Sequence, residues 1–318
     1  MTDDEMRLWK IFFPHAAART QEIASTNTRF AYYTSAETAL KIFSTGELWM
    51  RNARVMNDYE EIQYGLDHLR ALYDAAVGRK FRQTLDDIFP EFTETFLSRF
   101  NPWVPSILND TYLACFSEHL ATEDKLGRLS MWRAYGQPHG VAIILNTGIF
   151  LGETQALGIF SSPVAYLDGP QIDAELARIT QNIAENRDFI AGQGDDEIHS
   201  RVFNMFQFML LCLKHPGFHE EREWRAICSR TFGDSAKYRR DVECIKGTPQ
   251  IVIKVKLEDS PGEEIVGLEL PQFVNRVIIG PTELPFVIRD ALAEKMTAAG
   301  IADPLTKIVV SDIPLRTG

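Results

Sequence analysis

Short apolar, strand-like runs recur along the chain, and stretches of helical pattern fill the intervals between them. The first run, Arg29–Tyr33, carries Phe30, Tyr32 and Tyr33. Thr34 and Ser35 follow, then Ala36–Phe43. Ser35 is a good N-cap and Gly46 a good stop for a short helix that carries Leu40 and Phe43 inward. Glu47–Met50 reads as a strand. A turn capped by Asn57 or Asp58 then opens helices over residues 59–77 and 80–99, with a break near Gly78. Asn101–Pro105 reads as a rigid connection. Strands are predicted at Tyr112–Ser117, Gly140–Asn146 and Val164–Leu167, with a short helical turn at Ser130–Gly136 and an amphipathic helix over 171–190. Residues 197–213 hold Val202, Phe203, Met205, Phe206, Phe208, Met209, Leu210 and Leu211, so that helix is expected to be central and mostly buried. Strands at 250–257, 264–269 and 275–279, a helix at about 283–299 and a strand at Lys307–Ser311 close the pattern.

Regular βαβ alternation is absent. The pattern therefore predicts an α+β fold, with mixed or antiparallel sheets against a helical wall. Residues 1–28, with an amphipathic piece at Met6–Phe13, read as an N-terminal arm. Residues 29–318 read as a single domain with a helical insert at about 58–100.

Composition narrows the classes. Apolar residues make up 45% of the 318 and aromatics 11%, enough for a sizeable core. The net charge of −11 argues against sequence-independent gripping of a nucleic-acid backbone, which needs a basic footprint. A local basic face near Arg51, Arg54, Arg133 and Lys214 would restore that option. No apolar run reaches the length of a membrane span. The acidic start Met1-Thr2-Asp3-Asp4-Glu5 lacks the order of a signal peptide, so a cytoplasmic protein without membrane contact is expected. Cys115, Cys212, Cys228 and Cys244 show no CxxC spacing and read as small buried hydrophobes rather than disulfides or zinc ligands.

The stretch with the most chemistry is His219-Glu220-Glu221-Arg222-Glu223-Trp224-Arg225. As a strand it would put Glu221, Glu223 and Arg225 on one face and Arg222 and Trp224 on the other. Two carboxylates that close destabilise each other unless a cation, proton or ligand lies between them. Two readings fit: a solvated edge strand with Arg222 and Arg225 as counter-ions, or a carboxylate pair that holds sugar hydroxyls or stabilises a developing cation. A zinc helix is disfavoured, because position 223 is Glu rather than His, so no metal is expected. No GxSxG, GxxxxGK[ST] or GxGxxG occurs. The other candidates are the hydroxyls and aromatics of Tyr32, Tyr33, Thr34 and Ser35 at a strand-to-helix joint, Ser117 at a strand end, and Trp132 with Tyr135 three residues on. Aromatic faces can sandwich a flat ring, and a carboxylate can bind ribose.

Five motifs in order carry a resemblance: FAYYTSAETALKIFSTGELWMRNARVMNDYEE, LACFSE, LSMWRAYGQPHGVAIIL, KHPGFHEEREWRAI, and the C-terminal VIIGPTELPFVIRDALAEKMTAAGIADPLTKIVVSDIPLR. From residue 29 to the C-terminus they resemble a bacterial family of unknown function associated with the ADP-ribosyltransferase superfamily and with abortive-infection (phage-defence) proteins. That resemblance implies a split mixed or antiparallel sheet with a helical insert and a buried helix, and NAD as substrate. It places Tyr32 where the family pattern has His, followed by Thr34 and Ser35. It gives Ser117, Trp132, Tyr135 and Arg225 to the NAD pocket, and Glu221 and Glu223 to catalysis. Asn57, Asp58 and Glu61 match a further motif of underived role.

Breaking the nicotinamide–ribose bond develops positive charge on the ribose, which a carboxylate stabilises. Glu223 is assigned to the ribose and Glu221 to the acceptor nucleophile. The expected function is NAD-dependent mono-ADP-ribosylation of a protein or RNA by a phage-defence or toxin effector, with an antitoxin or phage trigger as partner. The alternatives are an NAD glycohydrolase that depletes NAD and a non-catalytic sensor of the same fold.

Overall fold

A computed structural model describes residues 2–26, 28–55, 59–136, 138–151, 156–229, 235–245 and 247–314. Asn57 and Asp58, the expected helix caps, lie outside these residues. The chain is a mixed α+β fold. Its strands are β1 Arg29–Ser35, β2 Glu47–Asn52, β3 Thr111–His119, β4 Gly140–Leu145, β5 Ile159–Pro163, β6 Ala165–Tyr166, β7 Leu213–Lys214, β8 Glu223–Ser229, β9 Tyr238–Ile245, β10 Thr248–Lys256, β11 Val274–Ile279 and β12 Ile308–Val310. Two compact units divide the chain. One comprises residues 23–51, 112–161 and 220–318; the other comprises 1–22, 52–111 and 162–219.

The first unit is built on a ten-stranded sheet with the order β12-β11-β4-β1-β3-β2-β10-β9. β1 is antiparallel to β4 and to β3, and β11 is parallel to β12, so the sheet is mixed. β8 pairs with β3 and β5. β3 thus has three neighbours: β1, β2 and β8. A strand has two edges, so one edge of β3 is divided between two partners and the sheet branches there.

Period two sorts the central strands into two faces. Phe30, Phe116, Ile143, Trp224 and Val277 join the larger core cluster, and Tyr32 packs against it. Ala31, Tyr33, Ala142, Ile144 and Ile278 face the other way and pack with Met131 and Trp132. Each fully buried side chain of this size contributes roughly 1.5–3 kcal/mol.

The helix Ala36–Thr45 forms as its caps predict. The Ser35 hydroxyl accepts from the Thr38 N–H at 3.2 Å, and Gly46 closes the helix in the left-handed region at φ 64°. Ile42 and Phe43 point into the larger cluster. The strand expected at 264–269 is instead a loop. The Asp259 carboxylate accepts from the N–H groups of Gly267, Leu268 and Glu269, so these donors do not serve a ladder.

The second unit is mostly helical: Asp3–Phe12, Tyr59–Asp74, Ala76–Asp86, Phe92–Asp110, Gly169–Glu185, Arg187–Gln193 and Asp195–Cys212, with β6 and β7 as a small parallel pair. The first helix carries a capping box, in which Thr2 and Glu5 satisfy each other's backbone N–H. Three expectations need correction here. The break expected near Gly78 is present but falls at Ala75, between Tyr59–Asp74 and Ala76–Asp86; Gly78 itself lies inside the second helix, where a Cβ would collide with the Leu72 carbonyl. Asn101–Pro105 is not a connection but part of Phe92–Asp110, whose buried Phe92, Phe96, Phe100 and Ile107 hold the helix together through Pro102 and Pro105. Lys214 is 1% exposed and pairs with Glu61 at 2.6 Å, so it contributes to no basic face. That pairing also gives Glu61 a place in the fold. In the helix Asp195–Cys212, Val202, Leu210 and Leu211 are buried, while Phe203 and Phe206 are half-buried against the Phe100 ring.

No helix among the described residues is long and apolar enough to cross a membrane. Cys212 and Cys228 are buried as expected, but Cys115 is half-buried and Cys244 is exposed.

Candidate functional site at the head of β8

The chemistry-rich stretch is not a solvated edge. β8 has a neighbour on each side, and all of its residues from Glu223 to Ser229 are buried. Nor does the strand begin at Glu221. Residues Pro216–Glu221 form a 3₁₀ turn, and Arg222 takes a left-handed φ of 43°, unusual for a residue with a Cβ. The alternation expected from Glu221 is broken at that residue, so Glu221 and Glu223 do not share a strand face. Two contacts hold the bend. The Arg222 carbonyl accepts from the Glu118 N–H at 2.8 Å, and its guanidinium pairs with Glu123.

Glu223 alternates with Trp224, so it lies on the face opposite the larger core. It is 6% exposed and meets Arg225, which is fully buried: Nε donates to Oε1 at 2.8 Å and Nη2 to Oε2 at 3.3 Å. Two parallel bonds from a planar fork fix the orientation of the carboxylate as well as its charge. Burial of both partners makes the pair dependent on that geometry.

The organising residue is one the sequence reading passed over, Arg128. Its Nε donates to Glu123 Oε1 at 3.0 Å. Nη1 donates to Ser117 Oγ at 2.6 Å and to the carbonyls of Glu220 and Glu221 at 2.7 and 3.0 Å; Nη2 donates to the Glu118 carbonyl at 2.6 Å and Glu123 Oε2 at 3.2 Å. One guanidinium therefore ties the end of β3 to the turn that enters β8. The Arg128 N–H itself donates to the Tyr33 hydroxyl at 2.9 Å. Burial pushes that phenol up to about 12, so it stays neutral and keeps its proton.

A second acid, Asp124, pairs with Arg29 at 2.6 Å and Arg276 at 3.0 Å and meets His119 Nε2 at 2.9 Å. Burial alone would raise the Glu123 carboxyl. Hydrogen bonds from Arg128 and the Leu120 N–H, with the charges of Arg128 and Arg222, outweigh it and hold Glu123 below the usual carboxylate range. His119 is 1% exposed. Burial, opposed by Asp124 and Glu123, keeps its imidazole below the ordinary 6.5.

The sign of the pH effect follows. The unfolded chain binds a proton at His119 near 6.5, where the folded protein resists it. Unfolding takes up that proton, so stability is fully present above about 6.5 and falls as pH drops below it. In His119→Asn, the urea midpoint is expected to change less between about pH 7 and about pH 5.5 than in the wild type. Equal changes in the two proteins would refute the linkage.

The remaining predicted residues divide between the two faces. Tyr32 lies on the larger-core face, its ring 5.5 Å from Phe116, and burial pushes its phenol up to about 12. Thr34 follows it on that face and hydrogen-bonds with it. Tyr32 and Glu223 are thus on opposite faces of the sheet, and the structure does not bring them together. Ser35 caps its helix rather than facing a ligand. Ser117 shares the face of Glu223, but its hydroxyl donates to the Glu221 carbonyl and accepts from Arg128. Trp132 and Tyr135 do not share an environment: Trp132 is 1% exposed and Tyr135 is 38% exposed. The indole Nε1 donates to the Leu126 carbonyl at 2.8 Å, and a Cβ on Gly127 or Gly280 would come within 2.6 or 2.7 Å of the ring. With both approaches filled by backbone, the indole has no face to offer a flat ligand.

Residues 131–226 match the family described as a protein of unknown function (DUF2971). The match runs from the Trp132 helix into β8 and includes Tyr135, Glu221, Glu223 and Arg225. No curated protein and no solved structure matches the chain significantly.

Proposed function

We propose that the protein transfers ADP-ribose from NAD to a macromolecular acceptor, a protein or an RNA, on an ADP-ribosyltransferase-like split sheet. The observation that carries this reading is the buried, fork-held carboxylate of Glu223 at the head of β8. Beside it, the branching of the mixed sheet at β3 is compatible with that arrangement. In the proposed step the nicotinamide–ribose bond breaks and nicotinamide leaves with the bonding pair. Positive charge develops on the ribose, and the fixed Glu223 carboxylate stabilises it without reorganising. Glu221, half-exposed two residues earlier, takes the proton of the acceptor nucleophile as the new bond forms. Tyr32, on the other face, has no part in this version of the site. The motif resemblance adds the biological setting, a phage-defence or toxin effector.

A second reading is a sensor that binds without turnover. It is favoured by the same ion pair, since Arg225 already engages both Glu223 oxygens.

The test is incubation with NAD labelled on its adenylate half, in a cell lysate, beside Glu223→Gln and Glu221→Gln. Glu223→Gln is expected to lower labelling by ~10²-fold, the scale of losing one key electrostatic group. Circular dichroism and Tm of each variant separate this from unfolding. Free labelled ADP-ribose with no labelled macromolecule would identify an NAD glycohydrolase instead. Intact NAD, with binding seen by calorimetry, would establish the sensor. Wild-type labelling in a folded Glu223→Gln would remove the central assignment.

A further inference from the structure

The helical unit encloses a cavity of about 420 Å³. This lies within the range of small-molecule sites, roughly 300–1,000 Å³. Its floor is made by Phe81, Leu85, Phe96, Phe100 and Val202, each no more than 6% exposed. Few polar side chains line it, and one of them, Thr93, is half-buried. Arg70, Tyr73 and Asn101 are exposed lining residues and mark the mouth, with Arg82 half-buried beside them.

Arg82 is the informative group. Its guanidinium lies 4.3 Å over the Tyr73 ring, and Nη1 donates to the Tyr73 carbonyl at 2.8 Å. Among the described residues it has no carboxylate partner. Arg70 does have one, Asp67 at 3.3 Å, and that pair is solvent-exposed. A cation is therefore held by a ring and a carbonyl at the mouth of an apolar chamber, its charge uncompensated. Stacking and the backbone bond fix the guanidinium before any ligand arrives, which leaves donors for an anion.

We propose that the helical unit binds a small amphiphile: a single medium- or long-chain alkyl carboxylate, with its chain among the phenylalanines and its carboxylate on Arg82. Size selects one chain, the Phe- and Leu-lined floor selects hydrocarbon over a polar ring, and Arg82 selects a negative head. This site is built wholly from the helical unit and is independent of the carboxylates at the head of β8.

The test is calorimetric titration of the full chain with decanoate and, as the uncharged counterpart, decanol. Wild-type protein is expected to bind decanoate more tightly than decanol. Arg82→Gln, at a half-buried position, is expected to weaken decanoate about tenfold and leave decanol unchanged. Leu69→Trp, which fills the chamber from a half-exposed lining position, is expected to abolish binding of both. If Leu69→Trp does not fold, as judged by circular dichroism, Leu97→Trp supplies the same block from another helix. Wild-type protein that binds neither compound would overturn the proposal. So would binding that survives a folded, chamber-filled variant, or an Arg82→Gln loss equal for decanoate and decanol.

Discussion

Arg128→Met is expected to lower the free energy of unfolding by about 3 kcal/mol or more, read from urea denaturation with an unchanged slope. The side chain is only 11% exposed, so most of its six hydrogen bonds are shielded from water. Removing it strands the Glu123 carboxylate beside a single remaining guanidinium, Arg222, and leaves three backbone carbonyls without that donor. Methionine fills much of the volume, so the loss reports the polar contacts rather than a cavity. Arg128→Lys separates charge from shape. An ammonium on a flexible stem cannot reach Ser117, Glu123 and three carbonyls at once, so lysine should recover only a minor part of the loss. Full recovery by lysine would mean that net charge, not the planar fork, holds β3 to the turn before β8.

Trp132→Ala is expected to cost about 3–5 kcal/mol, the scale for removing a large buried aromatic ring. The indole fills the space between Gly127 and Gly280 and meets Tyr33 edge-on at 4.8 Å. Neither glycine carries atoms that can collapse into the void. The Leu126 carbonyl loses the indole N–H but keeps the Ser311 hydroxyl at 2.7 Å, so cavity formation dominates the loss. A change below about 1 kcal/mol in urea denaturation would show that the site collapses freely and that the ring is not the keystone of this face.

Local chemistry was legible along the chain and long-range chemistry was not. Ser35 and Gly46 bound a helix because a cap needs only its own turn, and β1, β4 and β11 could be read from short apolar and aromatic runs. The segment 264–269 deceived that reading, because a carboxylate eight to ten residues upstream, Asp259, takes the N–H groups that a strand would have used. Asn101–Pro105 deceived it in the opposite sense: propensity favoured a break, and the packing of Phe96, Phe100 and Ile107 overrode it.

At the site, the acidic and aromatic character of 219–225 was visible, but its geometry was not. The single left-handed residue Arg222 shifts Glu221 out of the strand, and no local pattern announces it. Arg128 was invisible for a simpler reason. Its six acceptors lie on five residues, Ser117, Glu118, Glu123, Glu220 and Glu221, and only the fold brings the last two beside the first three. The hint available was an isolated Arg between Gly127 and Leu129.

The interleaving of the two units along the chain bears on how the protein is made. Each unit draws on three separate stretches, and each is interrupted twice by the other. A ribosome releases β1 and β3 long before β8 exists, and the Glu118–Arg222 and Arg128–Glu221 bonds cannot close until residue 222 has emerged. Until then the part of β3 that β8 pairs with has no ladder partner, in a chain whose sheet partners are far apart in sequence. Closure of the sheet at β3 therefore waits for residues about a hundred positions downstream, and until they emerge the nascent chain is open to pairing with other chains.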